Sequence, residues 1–264
     1  MLTKHTRTCL VFAAGGAIST ATARALHRSG VEVALAARNP DALTDLHREL
    51  GCSVPVQRVD VLDPMQVDAA FATVQQHLGS VDAVFNGVGP RAADAGYGTT
   101  LANLSLDSFT DLHRLVVGGQ FVTARAAARH WTSVGQAGTV LTLSSSLSRL
   151  KMSGMAGLAS ASAAIEGLTR AIAAELAPLG GRAICINATA MPETRTINET
   201  NALQAKRLGI LPAALLAGMQ QGYLLGRGPS LEELGDLIAF AASPAGAILN
   251  GHVIDADRGA TSVL

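Results

Sequence analysis

Seven short apolar runs punctuate this 264-residue chain, and most gaps between them have the length and periodicity of a helix. That alternation constrains the fold more than any other feature. Strands buried on both faces read as unbroken apolar runs, and parallel strands need long, usually helical, crossovers. The runs are TCLVFA (8–13), VEVALAA (31–37), VPVQRV (54–59), VDAVFN (81–86), TVLTL (139–143), RAICIN (182–187) and HVID (252–255). Asn39–Pro40 and Asp63–Pro64 each read as an N-cap followed by proline at the first helical position. Val67, Phe71, Val74 and Leu78 then carry an apolar stripe at helical spacing. A long helix is expected from about Ser105 to Trp131, and another over GLASASAAIEGLTRAIAAEL (157–176). The pattern predicts an α/β fold: a doubly wound parallel seven-stranded sheet with helices on both faces. No repeat, low-complexity tract or linker interrupts it, so 1–264 reads as one domain.

Composition excludes several classes of function. Apolar residues make up 48% of the chain and charged residues 15%, too apolar a balance for disorder. Twenty basic and twenty acidic residues cancel, and no basic run marks a nucleic-acid surface. No stretch reaches the length of a membrane-spanning helix. The first residues, MLTKHTRTCLVFAAGG, have the charge and apolar run of a signal peptide. Gly15 and Gly16 break that run, however, and strand, turn and helix is the better reading. Cys9, Cys52 and Cys185 are odd in number and far apart, which suits a reducing, cytoplasmic setting and offers no metal spacing.

In a sheet of this kind ligands bind beyond the carboxyl ends of the strands. There the chain resembles the short-chain dehydrogenase/reductase family, essentially end to end. VFAAGGAISTATARAL looks like its first strand, glycine loop and helix, and Asp60-Val61 followed by Asp63 like its adenine-contacting segment. VDAVFNGVG keeps Asn86 and Gly89 of the family's fourth-strand motif; TVLTLSSS looks like the strand that delivers a catalytic serine, here Ser145; LIAFAASPAGAILNGHVIDADRG looks like the C-terminal segment. The resemblance implies a Rossmann-like fold, hydride transfer between a nicotinamide and a carbonyl or alcohol, and a dimer or tetramer built on the two long helices.

The same resemblance assigns residues. Gly15, Gly16 and Ile18 of the first loop, with Asp60, Val61, Asn86, Gly87 and Thr194, fall at cofactor-binding positions. Ala37-Arg38 stands where an NAD enzyme carries an acid, which points to NADP(H), because arginine pairs with a 2′-phosphate. An exposed strand-end arginine is the plain alternative. For Asp60 the plain alternative is a solvated loop acid, and for Ser145 a hydroxyl bonded to backbone. The three loop glycines of the family align with Ala13, Ala17 and Ser19.

The departures are greater at the reacting centre. In the family a tyrosine moves the hydroxyl proton, a lysine one turn later lowers its pKa, and an asparagine holds a water. Counting from Ser145 puts Leu158 and Ser162 at the tyrosine and lysine positions, and Val116 near the asparagine. Neither tyrosine of the chain fills the gap by position. Tyr97 lies in the loop after the fourth strand. Tyr223 belongs to a segment, about 190–228, expected to form a substrate-side lid. Arg149, Lys151, His113 and Glu166 read as ordinary solvated or locally bonded residues.

Three functions stay open at this point: an oxidoreductase with an altered proton route, a non-redox lyase, isomerase or cyclase in the old pocket, and a catalytically silent subunit or sensor. The partners expected are a small-molecule substrate or ligand and further copies of this chain, in a homodimer or homotetramer. A hetero-oligomer with an active relative is the variant that suits a silent subunit.

Overall fold

A computed structural model describes residues 7–92 and 94–260. The head of the signal-like stretch, residues 1–6, lies outside them, as do Ala93 and residues 261–264. Seven parallel strands form one sheet in the order β3-β2-β1-β4-β5-β6-β7. They are β1 (Thr8–Phe12), β2 (Glu32–Ala37), β3 (Gln57–Arg58), β4 (Ala83–Asn86), β5 (Thr139–Ser145), β6 (Arg182–Ala188) and β7 (Val253–Ala256). The doubly wound sheet expected from the sequence is therefore present.

Successive strand residues feed opposite cores. Val11, Leu35, Phe85, Leu141 and Ile184 pack beneath α1 (Ala17–Arg28) and α9 (Leu231–Ala242). Leu10, Phe12, Val84 and Val140 pack beneath α3 (Pro64–Leu78) and α5 (Gly119–Val134). The α1–α9 contact is close enough to require a glycine: a Cβ on Gly235 would lie 2.7 Å from the Ala21 carbonyl oxygen. At the start of α3 the Asp63 carboxylate accepts from the amides of Met65 at 2.9 Å and Gln66 at 3.3 Å, the cap expected there. Asn39 makes no such side-chain bond, and the segment it opens, Pro40–Leu43, is a 3₁₀ turn before α2 (Thr44–Leu50).

Two elements differ from expectation. Strand β3 keeps only Gln57 and Arg58 of the run 54–59, because Pro55 has no N–H to give a ladder and Val54 is buried as a core plug. The long helix is two helices, α4 (Leu106–His113) and α5, joined through a π-helical turn at Arg114–Gly118. The remaining helices are α6 (Ala156–Leu176), α7 (Arg195–Leu208) and α8 (Pro212–Gln221). Cys9 and Cys185 are free thiols sealed inside β1 and β6, and burial pushes the Cys9 thiol up to about 12.

Candidate active site

The strand order reverses between β1 and β4, and the loop after β1 opens there. Ala13 turns the chain in the left-handed region, at φ 51°, where a Cβ is unfavourable. The Gly16 amide closes the turn on the Ala13 carbonyl at 2.9 Å. No side chain caps the following helix α1, and its first turn carries no acid. Its first amides and the positive end of its dipole therefore stay available to an anion. Ser19, at the third glycine position, is fully buried and bonds the Phe12 carbonyl at 3.2 Å. The space it takes comes from across the cleft, because a Cβ on Gly87 would overlap its hydroxyl.

A cleft of roughly 380 Å³ runs from this loop along the sheet end. Gly15, Gly16, Ile18, Gly87, Ser145 and Thr194 line it, and so do Val116, Leu158 and Ser162. Leu158 and Ser162 sit one turn apart on α6, and Val116 sits in the π-helical turn. The other four sequence-named residues lie outside its walls. Arg38 is exposed just past β2. Asp60 closes its own loop, accepting from the Leu62 amide at 2.9 Å. Val61 is buried in the core. Asn86 is fully engaged, donating to the Gly119 carbonyl at 3.0 Å and accepting from the Val88 amide at 2.9 Å, and so ties the end of β4 to α5.

The hydroxyls of the cleft are partly committed. Ser145 accepts from the Leu147 amide at 3.3 Å, and Thr194 caps α7 by accepting from the Ile197 amide at 3.3 Å. Ser144 donates to the Ser162 carbonyl at 3.1 Å. Behind it stands a charge network that spacing did not reveal. Glu166 accepts from Ser148 at 2.6 Å and from Arg149 at 3.0 Å, and Arg149 reaches Asp255 at 3.3 Å. Asn187 donates to Asp255 at 2.9 Å. Burial raises the Asp255 pKa against the pull of Arg149. Arg149 is exposed, as expected, but Glu166 is half-buried and accepts from it, so the network ties the turn after β5 to α6, β6 and β7. His113 is locally bonded, with Nε2 2.8 Å from the Ser160 hydroxyl.

A second cavity of roughly 160 Å³ lies beneath α7 and α8. Tyr97, Ser145 and Leu158 belong to both walls. Tyr97 is buried, with its pKa raised by that burial. Tyr223 is committed elsewhere: its hydroxyl shares a bond with Thr189 at 3.3 Å and donates to the Ala190 carbonyl at 3.4 Å. Among the described residues no cluster of His, Cys, Asp and Glu is placed to hold a metal ion, and no helix is long and apolar enough to cross a membrane.

A family model described as Enoyl-(Acyl carrier protein) reductase matches residues 13–261. The chain belongs to the short-chain dehydrogenase/reductase family. This is a family of NAD(P)-dependent oxidoreductases. Among its members, the cis-4-hydroxycyclohexanecarboxylate dehydrogenase of Sinomonas cyclohexanicum is 27% identical over 97% of both chains. An NAD⁺-bound xylitol dehydrogenase superposes with a TM-score of 0.88 at 25% identity, covering 97% of this chain and 100% of the other. A gluconate 5-dehydrogenase from Burkholderia cenocepacia, in complex with NADP and tartrate, gives 0.83 at 26% identity, over 98% and 96%. Members of the family thus hold either nicotinamide dinucleotide.

Proposed function

We propose that this family member is an NADP(H)-binding oxidoreductase with a proton route of its own, and not an ordinary alcohol dehydrogenase. One observation carries the reading. The cleft that starts at the α1 loop ends at Ser145 with Leu158, Ser162 and Val116 in its walls, side chains that carry neither a phenol nor a charge. Those are the positions the sequence register gives to the family's tyrosine, lysine and asparagine.

The loop fits a dinucleotide pyrophosphate in most respects. Gly15 and Gly16 leave open approach, α1 presents uncapped amides, and a methyl from Ala17 at the mouth is the one misfit. Arg38 is exposed and has no partner among the described residues, which suits a 2′-phosphate. Thr194 would meet the nicotinamide end. When bound, the cofactor would supply or accept the hydride. The chain's own residues would do the rest. Ser145 would orient the substrate oxygen, and Leu158 would exclude water from the reacting centre. The segment 190–228, which carries α7 and α8, would act as the lid over the substrate. Helices α5 and α6 would form the face for further copies of the chain.

Losing a positioned acid costs about 10²–10⁴-fold in rate. Simple secondary alcohols, which need that acid and base, should show no measurable oxidation. Activated alkenes and imines, which need it less, are the better candidates. Calorimetric titration with NADPH and then NADH tests the reading. Micromolar NADPH binding with much weaker NADH binding is expected. No binding of either would remove the redox reading and leave a non-redox enzyme or a silent subunit.

A further inference from the structure

Among the described residues that wall the two cavities, one side chain is suited to give up a proton. The larger cleft has two titratable side chains, Tyr97 and Arg195, and the smaller cavity has Tyr97 and Arg207. A guanidinium keeps its proton in any protein setting. Both are also occupied: Arg195 pairs with Glu199, and Arg207 bonds to Gln204 and Ser153. The serine and threonine hydroxyls are far weaker acids than a phenol. Tyr97 stands where the cavities meet, since it shares both walls with Ser145 and Leu158. Its hydroxyl has no hydrogen-bond partner among the described residues and still keeps accessible surface, although the side chain as a whole is buried.

The fold holds that phenol in place. Its ring belongs to one apolar cluster with Leu112, Val116, Met155 and Ile165. Gly96 and Gly98, on either side of it, turn in the left-handed region at φ 66° and 79°. The Gly98 amide donates to the Gly154 carbonyl at 2.9 Å, and a Cβ on Gly154 would lie 3.2 Å from the Gly98 Cα. The loop that carries Tyr97 is thereby fastened to the segment that enters α6 just before Leu158. Burial raises the Tyr97 pKa, and no cation offsets it. The phenol therefore keeps its proton until a strong base meets it. It suits donation to a developing carbanion and is a poor base toward an alcohol.

We propose that Tyr97, from the loop after β4, is the proton donor of this site. When one end of a polarised double bond takes a hydride from a reduced nicotinamide, the π electron pair moves to the other end. The Tyr97 O–H bond then breaks, its proton joins that atom, and the phenolate recovers a proton from water. The part in reduction rests on the redox reading above; donation to a bound anion does not.

The test compares the full chain with Tyr97→Phe. Removing a hydroxyl that bonds to nothing should leave the Tm unchanged, and a clear fall would overturn the assignment by showing that the hydroxyl serves the fold. The nucleotide-free proteins are then titrated at pH 9 with 4-nitrophenolate, whose oxyanion accepts a hydrogen bond, and with 4-nitrotoluene, which has a methyl in its place. The variant should bind the phenolate at least about tenfold more weakly, the worth of one charge-assisted hydrogen bond, and the toluene equally well. In protein carrying [ζ-¹³C]tyrosine, the resonance missing from Tyr97→Phe should move with the phenolate and stay still with the toluene, a response that packing alone would not give. Equal or no binding of the phenolate by the two proteins, or an unmoved Tyr97 resonance, would overturn the proposal. With NADPH and 1-nitrocyclohexene, an activated alkene, the variant should be about 10²–10⁴-fold slower with its nucleotide affinity unchanged, and equal rates would also overturn it. NADPH titration of the same samples separates the two readings. A Tyr97 response without nucleotide binding sinks only the redox function, and nucleotide binding without a Tyr97 response sinks only this proposal.

Discussion

Ala13 carries a methyl in a left-handed turn, at φ 51°, where the loop geometry favours glycine. Ala13→Gly should therefore stabilise the protein by about 1 kcal/mol, less what glycine adds to the entropy of the unfolded chain. Thermal denaturation of the two proteins would show it, and an unchanged or lower Tm would argue that the turn is not strained. Gly87 gives the opposite case: its Cα leaves room for the Ser19 hydroxyl, so Gly87→Ala should destabilise the protein and distort the cleft, which denaturant melts and NADPH affinity would both register. Leu158 and Ser162 allow a sharper experiment. If the register from Ser145 is right, the double variant Leu158→Tyr, Ser162→Lys puts both groups on one face of α6 and should bring alcohol oxidation where the wild type has none. A folded, nucleotide-binding double variant with no such activity would show that the register is wrong. At this scale the sequence was informative about which residues share the cleft. It was silent about which of them are already bonded. Asn86 reads as a cofactor position but is spent on Gly119 and Val88, and nothing in its spacing says so.

Helices with strong terminal signals were legible, and elements held by tertiary context were not. Asp63–Pro64 announces α3 because cap and proline act locally. Strand β3 shrank to two residues because Pro55 cannot join a ladder, a signal present in the sequence that the apolar run 54–59 masked. The π-helical turn at Arg114–Gly118 has no local signature. Next to it, Gly119 is pressed so close to Val61 and Val88 that a Cβ there would meet them at 3.1 and 3.2 Å. Further along, α5 places His130 against Phe71 of α3, with ring centroids 5.5 Å apart. Burial lowers the His130 pKa, so the folded state resists protonation more than the unfolded state does. Stability from this group is complete above the ordinary histidine pKa and is lost as pH falls below it. The Tm of the wild type should drop more between pH 7 and pH 5 than that of His130→Leu; equal drops would place the pH sensitivity elsewhere. At α9, Ser230 and Glu233 form a reciprocal capping box, and Ser230→Ala should cost about 1 kcal/mol in denaturant melts.

The architecture of the whole molecule was readable because it rests on alternation and burial, which every strand repeats. The network of Ser148, Arg149, Glu166, Asn187 and Asp255 was not, because its members come from β6, β7, α6 and the turn after β5 and meet only once the sheet is assembled. The two sealed thiols have a practical consequence at this scale. Cys9 and Cys185 lie in interior strands, on opposite sides of the β1–β4 crossing point, and neither is exposed in the folded chain, whereas Cys52 is half-exposed at the periphery. A thiol-labelling reagent should therefore modify one site per native molecule, and the second and third only as fast as the sheet opens. Mass spectrometry of the labelled peptides would then time the opening at two points of a protein that needs no introduced probe. A common rate for both would mean that the sheet comes apart as one body, and two rates would show which half lets go first.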